Sequence, residues 1–129
     1  MATAIKNART IVAASTANTA GSTTRGRLDL QTALGGRLTV KLINGATPPS
    51  VACTCNILIS HNATMPAANS AGVDWKTIYS FNGGTTASIT TEYSDVYGPE
   101  IMSLEVEFTG NTAQTVTVEA FFSEITSVG

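Results

Sequence analysis

The sequence predicts an all-β chain: an antiparallel β-sandwich, jelly-roll-like, with an extended N-terminal arm. Three observations predict it. Apolar side chains recur at every second position in several segments, the mark of a strand with one face on a core. Threonine occurs 21 times in 129 residues, and β-branched side chains suit a pleated, half-buried surface better than a helix. Turn-forming residues fall between the alternating segments, at a spacing that suits antiparallel neighbours.

Residues 1–26 read as the arm. Lys6 and Arg9 are basic, Ile5, Ile11 and Val12 are apolar, and "RTIVAAS" alone has the look of a strand. The run "STANTAGSTT" (15–24) then carries no charge, no aromatic and no large apolar side chain. Such a run buries too little apolar area to offset its own ordering entropy, so something outside it must hold it. The expected holder is the sheet edge of a neighbouring chain, where backbone hydrogen bonds suffice.

Residues 27–129 read as the sandwich domain, a length that suits one core. "LDLQTAL" is one turn or a short strand. "GRLTVKLI" (36–43) puts Leu38, Val40 and Leu42 on one face, and "VACTCNILIS" (51–60) does the same with Cys53, Cys55, Ile57 and Ile59. "VDWKTIYSF" (73–81) places Val73, Trp75, Thr77, Tyr79 and Phe81 together, most simply as a thick part of the core. "TASITTEYS" adds a strand. "SLEVEF" turns Leu104, Val106 and Phe108 inward and Glu105 and Glu107 outward, and "QTVTVEAFF" turns Val116, Val118, Ala120 and Phe122 inward. Asn44-Gly45 with Pro48-Pro49, Asn82-Gly83-Gly84, Tyr97-Gly98-Pro99 and Gly110-Asn111 supply the turns. Seven or eight strands result.

Tests for chemistry find none, and no catalytic, cofactor-binding or metal-ligating residue is expected. The single histidine, His61, lacks a nucleophile elbow. On a straight strand it stands about 20 Å beyond Cys55, too far for a tetrahedral metal site with Cys53 and Cys55. "FNGGTT" lacks the lysine and the helix of a phosphate cradle. Cys53 and Cys55, two apart on a strand, point the same way with Cα atoms about 6.5–7 Å apart, so both are expected as reduced core thiols. "IVAA" is too short for a signal-peptide core, and no run approaches a membrane span.

Charge supplies the candidate contacts. The net charge is -2, which recruits neither nucleic acid nor an anionic membrane. Residues 1–73 nevertheless carry six cations against Asp29 alone, a net of +5, while residues 74–129 carry Lys76 against eight acids, a net of -7. Such a split directs how copies meet each other or a partner. Lys6, Arg9, Arg25 and Arg27 on the basic side, and Glu105, Glu107 and Glu119 on the acidic strand surface, are the expected partner-binding residues.

"RGRLDLQTALGGRLTVKLINGATPPSVACTCNILIS", the tryptophan strand and the terminal "GNTAQTVTVEAFFSEIT" together resemble small virion proteins of tailed bacteriophages, capsid decoration or cement proteins in particular, over roughly residues 25–126. The resemblance implies a non-enzymatic β domain made in the host cytoplasm. It further implies a place on the outer capsid surface, bound to the major capsid protein as a dimer or trimer. Phage tail and fibre proteins have the same look. That alternative implies a receptor-binding module in which the aromatic stripe, or a loop such as 61–72, holds carbohydrate.

Overall fold

The computed structural model describes residues 3–68 and 73–128, and among them there is no helix. They form eight strands: β1 (Ala4–Asn18), β2 (Thr24–Asp29), β3 (Gly36–Asn44), β4 (Thr54–Ser60), β5 (Lys76–Asn82), β6 (Thr90–Tyr97), β7 (Ser103–Thr109) and β8 (Val116–Val128). Sheet 1 has the order β1-β8-β3-β6 and sheet 2 the order β2-β7-β4-β5, with every pair antiparallel. Only the β4–β5 connection stays within one sheet. This interleaving, with the first strand beside the last, is the jelly roll.

The core lies between the sheets and follows the alternation in the sequence. Leu38, Val40 and Leu42 of β3 and Val116, Val118, Ala120 and Phe122 of β8 face Cys55 and Ile57 of β4 and Leu104, Val106 and Phe108 of β7, all buried in one cluster. Each large side chain removed from water in this way contributes roughly 1.5–3 kcal/mol. Cys53 and Cys55 are free and buried as expected. Burial pushes the Cys53 thiol from 9.0 up to about 11, and pushes Cys55 further in the same direction.

The expected arm is corrected. Residues 4–18 pair with β8 of their own chain from Ala4↔Val128 to Asn18↔Val116, making β1 the edge strand of sheet 1. Ladder hydrogen bonds are indifferent to side-chain size, so the small residues here are ordered without burying much. The ladder is not regular: between Val12 and Thr16 the register shifts, and Ser15 takes φ 61° while the Thr16 hydroxyl donates to Ala13 O at 2.6 Å. Such a bulge takes up extra residues at an edge.

The turn after β1 is held by two buried asparagines. Asn18 Nδ2 donates to Asn111 Oδ1 at 2.6 Å and to Ser22 O at 3.2 Å, and Thr24 Oγ1 donates to Asn18 Oδ1 at 2.7 Å. Asn111 Nδ2 in turn donates to Asn18 O at 2.9 Å. The outside support that "STANTAGSTT" requires is thus β8 together with the Asn111 loop. β2 follows, a strand with only Leu28 to mark it in sequence. It runs so close to β1 that a Cβ on Gly26 would collide with the Ile11 carbonyl, which explains a glycine inside a strand.

The aromatic segment is also corrected. A register shift at Ile57/Leu58 sets Tyr79 opposite Ile57 but Thr77 opposite Leu58, which faces away from the core. The five residues therefore do not share one face. Tyr79 and Phe81 point between the sheets, where Tyr79 stacks on Tyr93 of β6 with centroids 4.6 Å apart and Phe81 lies 5.4 Å from Tyr93. Trp75 is fully buried, as expected, but its indole Nε1 donates to Ala67 O at 2.9 Å in the loop after β4. Val73 is exposed.

Candidate association surface

The antiparallel register decides where the charges go. β2 lies beside β7 with Arg25 opposite Glu107 and Arg27 opposite Glu105, so the basic and acidic residues expected on separate molecules meet within one chain. Arg25 Nε donates to Glu107 Oε2 at 2.9 Å, its Nη2 lies 2.7 Å from the same oxygen, and its Nε lies 3.6 Å from Glu105 Oε1. Asn56 Nδ2 donates to Glu107 Oε1 at 2.8 Å, and Ser80 Oγ donates to Asn56 Oδ1 at 2.6 Å. Arg27 is exposed but donates to Pro66 O at 2.7 Å.

These contacts correct the picture of Glu105 and Glu107 as a partner-facing surface. The described part of the loop after β4 lies over the outer face of sheet 2, tied down through Pro66 and Ala67. Beneath it Ser60, Ser103, Leu58 and Glu105 are buried. Residues 69–72 of the loop 61–72, the alternative carbohydrate loop, lie outside the described residues.

Sheet 1 treats its charges differently. Arg9 Nη1 binds Glu124 Oε1 at 3.1 Å, with Asn7 Nδ2 donating to the same oxygen at 3.1 Å. Glu119 on β8 stands opposite Lys41 of β3, whose Nζ lies 3.4 Å from Glu92 Oε1 of β6. This row faces out over sheet 1. Lys6, opposite Ile125, is exposed at the start of β1. Of the seven expected contact residues, Arg9, Arg25, Glu105 and Glu107 are engaged in ion pairs of their own chain.

Of the nine exposed large apolar side chains among the described residues, four lie at one end of sheet 1, while Val51, Val73, Ile78, Tyr79 and Ile89 are exposed elsewhere. The start of β1, the end of β8, the start of β3 and the end of β6 come together there. Ile5, Val128 and Val96 are exposed at this end, with Leu34 just before β3. Leu34 is fixed by its backbone: its N–H donates to Ile125 O at 2.6 Å, and Ile125 N–H returns a bond to Gly35 O at 2.9 Å. A groove of about 450 Å³ opens here, lined among others by Lys6, Leu34, Arg37, Val96, Ser123 and Ile125. Scattered apolar side chains on a surface are ordinary; what sets this end apart is that Leu34, Val96 and Ile125 share a groove with the cations Lys6 and Arg37. The sequence pattern did not single out Leu34, Arg37, Val96 or Ile125. Val96 carried a signal, being apolar on the face of β6 that also bears Glu92 and Ser94.

No protein-family model matches the chain, and no curated protein matches it. Solved structures match its fold at low sequence identity. The K3 cleaved adhesin domain of Lys-gingipain from Porphyromonas gingivalis w83 superposes with a TM-score of 0.54 at 10% identity, over 84% of this chain and 72% of that one. The enzymatically active domain of tailspike protein 4 of bacteriophage CBA120 gives 0.52 at 11% identity, over 96% of this chain and 19% of that one. The VP2 subviral particle of infectious bursal disease virus gives 0.50 at 13% identity, over 95% of this chain and 33% of that one. The chain thus spans about a third or less of both viral proteins. Identities this low establish a shared β-sandwich and nothing about activity.

Proposed function

We propose that the chain is a structural virion protein that decorates a phage capsid from outside, binding the major capsid protein shell as a small homo-oligomer and stabilising it by association rather than by catalysis. The observation that carries this reading is the gathering of Ile5, Leu34, Val96 and Val128, all exposed, at one end of sheet 1. Apolar surface left in water is stabilised by being covered. The fold supports a place in a virion, since a phage tailspike and VP2 of a virus particle carry the same sandwich. Neither nucleic acid nor a membrane is a partner in this reading.

Cryo-electron microscopy of virions that contain the chain tests it. Density for the sandwich on the outside of the shell, with the open end of sheet 1 toward the capsid protein or a second copy, is the expected result. Density confined to the tail or its fibres overturns it. A carbohydrate-binding fibre module is the second reading, favoured by one observation: Tyr79 remains 45% exposed beside Tyr93 and Phe81, at the edge where the two sheets meet. Glycan binding that is lost in Tyr79→Ala without loss of stability selects that reading.

A further inference from the structure

We infer that the groove at the end of sheet 1 is a docking site for an extended acidic peptide segment, one carrying two carboxylates at alternate positions and an apolar side chain two positions further on, on the same face. The inference rests on the proposed association role and names the chemistry of the partner surface.

The groove crosses the whole sheet. Lys6 comes from β1, Ser123 and Ile125 from β8, Arg37 from β3 and Val96 from β6. Adjacent strands lie about 4.8 Å apart, so the span from β1 to β6 is about 14 Å, the reach of roughly four residues of extended chain. Lys6 and Arg37 sit two strands apart, about 10 Å by the same spacing. Among the described residues neither has a carboxylate partner: the ion pairs belong to Arg9, Arg25 and Lys41, and Arg37 Nη1 donates only to the Ser94 hydroxyl, at 3.0 Å. Glu124, the carboxylate that borders the groove, is already held by Arg9 and Asn7.

Two uncompensated cations beside the apolar side chains of Leu34, Val96 and Ile125 favour an occupant with both anionic and apolar groups. A single carboxylate on an alkyl chain satisfies one cation and leaves the other. Carboxylates at alternate positions of an extended peptide point to one face about 6.5–7 Å apart, and their side-chain lengths cover the remaining separation. Because the peptide crosses the face of the sheet rather than adding to its edge, recognition falls to side chains and not to ladder hydrogen bonds.

The probes are the capped peptide acetyl-Glu-Leu-Glu-Leu-Leu-amide, its counterpart with lysine for glutamate, and dodecanoate. Each is titrated into the ¹⁵N-labelled full chain. The acidic peptide should give saturable amide shifts confined to residues 5–7, 34–37, 96–98 and 123–125, and the basic peptide none. Lys6→Glu with Arg37→Glu should weaken the acidic peptide by about tenfold or more. Val96→Glu, at a single exposed position, should do the same and guards against misfolding of the double variant. Absence of saturable shifts, binding unchanged in both variants, or dodecanoate binding as tightly as the peptide overturns the inference. Co-sedimentation of the parent chain with shells separates the two claims. Shell binding without peptide binding removes the groove and leaves the proposed function; peptide binding without shell binding does the reverse.

Discussion

On the outer face of sheet 2 a carboxylate, Glu105, is 1% exposed, while on the outer face of sheet 1 an aliphatic side chain, Val96, is 59% exposed. The two faces invert the ordinary expectation in opposite directions, and buried polar and exposed apolar groups are the informative ones. Sheet 2 is covered by its own chain: the loop after β4 hangs from Arg27 and Trp75, and Arg25 compensates the carboxylates. Among the described residues sheet 1 has no such cover, and Ile5, Val96 and Val128 are exposed at one end of it. One face of the sandwich thus carries cover supplied by its own chain, and the other carries none among the described residues.

Four measurements bear on that contrast. Trp75→Ala removes the largest buried side chain outside the intersheet core and should cost about 3–5 kcal/mol in urea unfolding; a loss under about 1 kcal/mol would mean that the loop does not seal sheet 2. Arg25→Ala takes away the cation beside buried Glu105 and half-buried Glu107 and should cost about 3 kcal/mol. The core between the faces responds to pH. The Cys53 thiol is raised from 9.0 to about 11, so the unfolded chain loses this proton first. The stabilisation is complete below about pH 9 and is lost as pH rises toward 11, by roughly 2–3 kcal/mol. Cys53→Ala should flatten that part of the stability profile relative to the parent. On the open face, Lys41→Ala breaks an exposed pair with Glu92 and should shift stability by no more than about 0.5 kcal/mol; a much larger loss would show that sheet 1 is not simply solvated there.

Much of the fold was legible because a strand with one buried face must alternate. β3, β4, β7 and β8 are the inner strands of the two sheets, and their sequences show the pattern plainly. The edge strands were harder. β1 pairs through its backbone with small side chains, so composition gave it the look of an arm. β2 has Gly26 where a side chain would strike Ile11, which removes one of the few positions where alternation would show. In the aromatic strand one register shift at Ile57/Leu58 exchanged the faces of Trp75 and Tyr79, and counting residues along a strand cannot reveal a bulge. Alternation separates inward from outward but does not say whether the outward face is covered; that is why Glu105 and Glu107 read as a free acidic surface. The groove was illegible for a different reason. Its walls come from four strands that are far apart in sequence, joined only by sheet register.

If the open end of sheet 1 is the contact surface proposed above, two substitutions of the same chemistry should behave differently. Val96→Glu places a charge at that end, and Val73→Glu places one at an equally apolar, exposed position just before β5. Co-sedimentation of each variant with virion shells, alongside a thermal melt, is the measurement. Melting should be unchanged for both, with at least about a tenfold loss of shell binding for Val96→Glu and none for Val73→Glu. Shell binding that survives Val96→Glu and fails with Val73→Glu would contradict that proposal.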